Sequence, residues 1–126
     1  MTTKDTMPAG VYYIGDLCYV MSAEWDEVCD KTIPKGDVLN GKFTLDDGRT
    51  FTMYSTMYGD GGYLANNGYT VDVDAGVIGC IAVKDITDKD ARMELGMIVE
   101  FDKPFKCGCT PRGLISFGGI KIKTNF

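Results

Sequence analysis

Alternation of apolar and polar residues dominates this chain. Phe43 and Leu45 alternate with Lys42 and Thr44, and Phe51 and Met53 with Thr50 and Thr52, so each run reads as a strand with one core face and one polar face. Between them, Asp47-Gly48 suits a type I′ turn. Asn67-Gly68 marks a second tight turn, after which Tyr69, Val71 and Val73 face one way and Thr70, Asp72 and Asp74 the other. Gly76–Val83 has no alternation and predicts a strand buried on both faces. Gly10–Asp16 is β-branched and aromatic, with an extended apolar run resuming over Leu17–Met21. Further strands are expected over 96–102, 105–110, 113–118 and 120–124, the last with its lysines in water.

One stretch has helical spacing. Trp25, Val28 and Cys29 fall at i, i+3 and i+4, after Ser22 as an N-cap and with Glu24, Asp26 and Glu27 near the first turn. A second short helix is expected after Thr87, within the charged segment 84–95. Residues 1–9 are polar and without period through Pro8, and read as a flexible N-terminal tail. Residues 10–126 then form a single β-rich domain: mainly β, an antiparallel sandwich or small barrel with one or two short helices.

Composition narrows the chemistry. The 126 residues suit one domain, and 16 glycines without a repeat period point to many turns. The chain has no histidine, which removes Ser-His and Cys-His pairs and the commonest general base. Lys and Arg number 13 against 18 Asp and Glu, a net charge of −5, and the basic residues are scattered, so nucleic acid is not an expected partner. No apolar run is long enough to span a membrane and no signal peptide is evident. Five cysteines, an odd number, read as free thiols in a reducing, cytoplasmic setting.

The stretch Tyr54–Cys80 concentrates the candidate ligand-binding residues: Tyr58, Asp60, Tyr63, Asp72 and Asp74. Asp72 and Asp74 share one strand face, and Asp60 precedes the same hairpin. Such carboxylates suit Ca²⁺ or Mg²⁺, or acid/base hydrolysis. The competing reading is a solvated hairpin face plus a turn aspartate, and the expectation is no cofactor and no catalytic residue. The loop Tyr58-Gly-Asp-Gly-Gly-Tyr63 is no phosphate cradle, because no Lys or Thr follows in the needed place and no helix begins there. It is either a bulged turn with packing tyrosines or a loop where backbone approaches a ligand. Cys107-Gly-Cys109 with Cys18, Cys29 and Cys80 makes a zinc set on paper, but with one close pair instead of two, and the cysteines read as small core hydrophobes. Asp16, between two apolar runs, is expected to be buried and to accept from the N–H groups of a tight turn.

Three segments resemble one group of proteins. Tyr12-Tyr13-Ile14-Gly15-Asp16-Leu17-Cys18-Tyr19 with Trp25, then Tyr58-Gly-Asp-Gly-Gly-Tyr63 with Val71-Asp72 and Ala75–Gly79, then Gly113–Gly118 with Ile120–Thr124, resemble small uncharacterised proteins of tailed bacteriophages. Where that group often has Pro before the cysteine, this chain has Leu17. The resemblance implies a viral protein made in the bacterial host cytoplasm, and it implies no activity. Together these features point to a non-enzymatic binding or interaction protein with a host or viral protein as partner, and leave homo-oligomerisation open. The alternative is a small carboxylate- or metal-dependent hydrolase using Asp60, Asp72 and Asp74.

Overall fold

The computed structural model describes residues 3–125. Among them run eleven strands: β1 (Thr3–Met7), β2 (Gly10–Gly15), β3 (Gly41–Thr44), β4 (Thr50–Ser55), β5 (Gly61–Leu64), β6 (Thr70–Val73), β7 (Val77–Ala82), β8 (Met97–Phe101), β9 (Phe105–Cys109), β10 (Leu114–Phe117) and β11 (Ile120–Lys123). One α-helix, α1 (Trp25–Thr32), follows β2. The strands make a five-stranded sheet, β3-β4-β7-β2-β8, a four-stranded sheet, β1-β9-β10-β11, and a two-stranded ribbon, β5-β6, all antiparallel. The mainly β architecture expected from alternation is present, as a sandwich rather than a barrel.

The five-stranded sheet is apolar on both faces. Tyr12, Ile14, Tyr54, Ile78 and Cys80 point toward the four-stranded sheet and meet Phe105, Cys107, Ile115, Phe117 and Ile122. Tyr13, Phe51, Met53, Val77 and Ile81 point the other way, into a second core closed by Leu17 and Met21, which precede the helix, and by Val28 of α1. The strand pattern explains this arrangement. The whole of β7 is buried, as its unbroken apolar run requires. In β4 the polar face expected at Thr52 is also buried, and the Thr52 hydroxyl lies 3.1 Å from Cys80 Sγ. Gly79 lets β4 and β7 pack closely here, since a Cβ on it would stand 1.9 Å from the Thr52 carbonyl oxygen.

Several local expectations change. Thr3–Met7, read from the sequence as part of a flexible tail, is a strand. This strand, β1, is in register with β9 from Thr3 opposite Cys109 to Met7 opposite Phe105. Its polarity is used: the Asp5 carboxylate accepts from Tyr54 Oη across the sandwich at 2.7 Å, and Lys42 Nζ donates to the Thr6 carbonyl at 2.8 Å. Residues 1 and 2 lie outside the described residues. Leu17–Tyr19 is a 3₁₀ turn, not extended, because the Asp16 side chain caps it through Cys18 N–H. Ser22 does not cap α1. It opens a 3₁₀ turn over Ser22–Glu24, whose Ser22 and Ala23 N–H groups and Ser22 hydroxyl are taken by Asp88. Segment 84–95 carries 3₁₀ turns at Val83–Asp85 and Met93–Leu95 and no α-helix. Both hairpin turns have three-residue loops with positive φ only at the glycine, Gly48 at 97° and Gly68 at 92°, so neither is type I′.

Asp16 is fully buried, as expected. Its Oδ1 accepts from Cys18 N–H at 3.0 Å, and its Oδ2 accepts from Asp74 and Ala75 N–H at 2.8 and 2.6 Å. Asp16→Asn turns an NH₂ group toward backbone donors and is expected to cost about 2–4 kcal/mol, read as a lower urea midpoint with unchanged slope. Burial, reinforced by the nearby Asp16 carboxylate at Tyr13 and by the hydrogen bond to Asp5 at Tyr54, pushes the hydroxyls of Tyr13 and Tyr54 far above the ordinary phenol range. Burial pushes Tyr12 up to about 12. The unfolded chain gives up these protons near pH ~10 while the fold retains them. The stability these three tyrosines contribute is therefore complete below pH ~10 and is lost as pH rises above it. Phenolate absorbance during alkaline titration should show these tyrosines ionising together with unfolding.

Candidate functional site

The stretch from Tyr54 to Cys80 is two nested antiparallel pairs. The outer pair is β4 with β7, in register from Phe51 opposite Ile81 to Ser55 opposite Val77. The inner pair is the β5-β6 ribbon, from Gly61 opposite Val73 to Leu64 opposite Thr70. The ribbon is thus a detour between two strands that are already neighbours. At its neck Thr56 N–H donates to the Gly76 carbonyl at 3.0 Å, and Thr56 Oγ1 and Tyr63 Oη donate to the Gly59 carbonyl at 2.7 and 2.9 Å. Asp16, holding the N–H groups of Asp74 and Ala75, fixes the other side of the same neck.

The ribbon lies against the side of the sandwich. Ala65 bridges to Ile122, Asn66 N–H donates to the Lys121 carbonyl at 2.9 Å, and Lys121 N–H donates back to Asn66 Oδ1 at 2.9 Å. Tyr63, Val71 and Val73 point inward and join the core between the sheets. The outward positions carry Leu64 and Asp72, which follows from the two-residue period once Tyr63 and Val71 face in.

The five expected ligand-binding residues therefore divide. Tyr63 is withdrawn into the core, 1% exposed, with its hydroxyl on the Gly59 carbonyl. Its role is the packing one, because the ribbon needs an inward aromatic at that register. Tyr58 is 59% exposed in the neck loop, and Asp60, Asp72 and Asp74 are all exposed. Continuing the ribbon register places Asp60 opposite Asp74, so the three acids gather at the neck end of the ribbon. Among the described residues, no group of three or more His, Cys, Asp or Glu side chains is arranged to hold a metal ion. The opposite, turn end carries Leu64 and Tyr69, 62% and 60% exposed. The ribbon thus has an acidic end and an apolar end.

Sequence reasoning missed Arg49. Its guanidinium is half-buried and donates to the Asp85 carbonyl at 3.0 Å, Thr87 Oγ1 at 3.1 Å and Asp47 Oδ2 at 2.8 Å, with Glu24 Oε1 at 3.4 Å. It ties the β3-β4 hairpin to the two segments flanking the second core. One basic residue among alternating threonines gave no signal of this role. Also missed was a cleft of about 580 Å³ at one end of the sandwich, lined by residues from four separate stretches of chain.

The cysteines are scattered. Cys80, Cys107 and Cys109 are buried, and Cys18 and Cys29 are half-buried. Cys80 and Cys107 meet across the sandwich, and burial beside a second thiol pushes the Cys80 thiol well up. Cys18 is pushed up to about 12, first by burial and then by the Asp16 carboxylate. Burial and the flanking Asp26 and Asp30 raise Cys29. None of these three is primed as a nucleophile.

No helix among the described residues is long and apolar enough to cross a membrane. Compared with protein-family models, curated proteins and solved structures, the chain finds no match.

Thiol labelling checks this picture. With Ellman's reagent at neutral pH the folded protein should react slowly at every cysteine, and all five should react promptly once guanidinium unfolds it. A thiol that reacts fast in the folded chain would contradict the burial described above.

Proposed function

We propose that this chain is a non-enzymatic binding protein, phage-encoded as its motifs suggest, whose recognition surface is the β5-β6 ribbon. The observation that carries the reading is the placement of exposed large side chains on the ribbon and its neck: among the described residues, Tyr58, Leu64 and Tyr69 are the three most exposed of the large hydrophobic ones. Large exposed apolar groups rimmed by polar ones mark interaction sites. Asp60, Asp72 and Asp74, at the neck end with Tyr58, give that end of the surface a negative sign. Its partner would be a host or viral protein presenting an apolar anchor beside basic side chains, since complementary charge speeds encounter and fixes register.

The hydrolase alternative needs carboxylates converging in a concave, water-excluding site. Asp60, Asp72 and Asp74 stand on an exposed surface, and the cleft the fold does carry is lined by none of them.

The test is comparative capture from bacterial lysate at low salt, using the wild-type chain, Leu64→Ser/Tyr69→Ser and Asp60→Asn/Asp72→Asn/Asp74→Asn. All five positions are exposed, so melting temperatures should stay close to wild type. A protein held by the wild type should be lost with the first variant. With the second it should be weakened about tenfold or more and lose its salt dependence. A captured protein held equally by all three chains would overturn the ribbon as the recognition surface.

A further inference from the structure

The cleft at the end of the sandwich gathers apolar residues and two lysines. Thr50, Ala82 and Tyr12 form its floor. They follow one another across β4, β7 and β2, since Thr52 pairs with Cys80 and Ala82 with Tyr12. Met7, Pro8, Ala9 and Gly10, the turn between the two sheets, make one wall. Tyr12 Oη donates to the Pro8 carbonyl at 2.8 Å, so its hydroxyl is committed. The volume, about 580 Å³, lies in the usual range for small-molecule sites.

Charge makes this cleft specific. Lys42 and Lys84 stand on its rim with one carboxylate, Asp85, leaving one net positive charge on a chain whose net charge is −5. The ion pairs of the described residues use Lys31, Arg49 and Arg92 and neither of these lysines. Lys42 Nζ donates to the Thr6 carbonyl at 2.8 Å, which aims it along the mouth and leaves two of its three protons to give. Lys42 reaches this side because its partner Thr52 points into the sandwich. The Arg49 guanidinium donates to the Asp85 carbonyl from behind and fixes the segment that carries Lys84.

We infer that this cleft binds a small amphipathic monoanion, an apolar body bearing a single carboxylate or similar head, with the body against Pro8, Ala9 and Val11, the exposed apolar residues of the lining, and the head between Lys42 and Lys84. One excess positive charge selects one negative charge. A polyanion such as a nucleoside triphosphate would meet Asp85 as well. This site lies apart from the ribbon and does not depend on it.

Calorimetric titration of the full chain with octanoate, octanol and octylammonium tests the inference. Octanoate should bind about tenfold or more tightly than octanol, and octylammonium should be the weakest. Lys42→Met/Lys84→Met, at two exposed positions, should reduce octanoate to the level of octanol. Thr50→Phe, which fills the floor, should abolish both. The inference is overturned if octanoate binds the wild-type chain no better than octanol, or if a variant that melts like wild type binds octanoate unchanged. A variant that fails to fold leaves the wild-type ratio as the deciding measurement.

Discussion

The carboxylate of Asp16 is the constraint on which the layout depends. A fully buried carboxylate is costly unless its oxygens are taken up by donors, and here backbone N–H groups do so from two parts of the chain distant in sequence. One oxygen turns the chain sharply at the end of β2 and sends it across the sheet toward α1. The other holds the turn that delivers β7 into the sheet centre. Tyr13 donates to the Asp16 carbonyl at 3.0 Å, its ring seated against Gly15 and Gly96, where a Cβ would collide with the ring. One side chain therefore sets the exit of β2, the entry of β7 and the approach of the segment before β8.

The second organising fact is that the five-stranded sheet is buried on both faces. A sheet with only one partner would show clean alternation in every strand. Here β7 is apolar throughout, and β4 buries threonine with its hydroxyl satisfied by a thiol and a backbone N–H. The outer four-stranded sheet covers one face. The other is covered mostly by irregular chain: a short helix, 3₁₀ turns and the segment 83–95, pinned by Arg49 and Asp88. Irregular cover needs such polar ties because it lacks the ladder hydrogen bonds of a sheet.

How much of this was legible follows from the physics of each element. Period-two alternation and the apolar run of β7 are local signals, and they placed most strands. Asp16 was legible because an acid between apolar runs must find donors. β1 was not, because its side chains are polar and it is a strand only through β9 and the bonds made by Asp5 and Thr6. The Asp47-Gly48 dipeptide signalled a turn but not its length. The candidate residues in the ribbon were half legible: alternation put Asp72 outside, yet the same alternation applied to β5 would have put Tyr63 inside. The cleft was invisible, since it is assembled from stretches that only the sheet register brings together.

The ribbon's place in the chain has a consequence for how such a protein can change. β4 and β7 are already neighbours in the sheet, and Asp16 grips the ribbon's neck through main-chain N–H groups that every amino acid but proline carries. The outward positions at residues 64, 70 and 72 are therefore exempt from the rules that bind the core. New side chains can be tried there generation after generation, with only Tyr63, Val71 and Val73 retained as plugs. The anchorage falls instead on the main chain and on the side chains of Thr56, Tyr63 and Asn66, none of which occupies those outward positions.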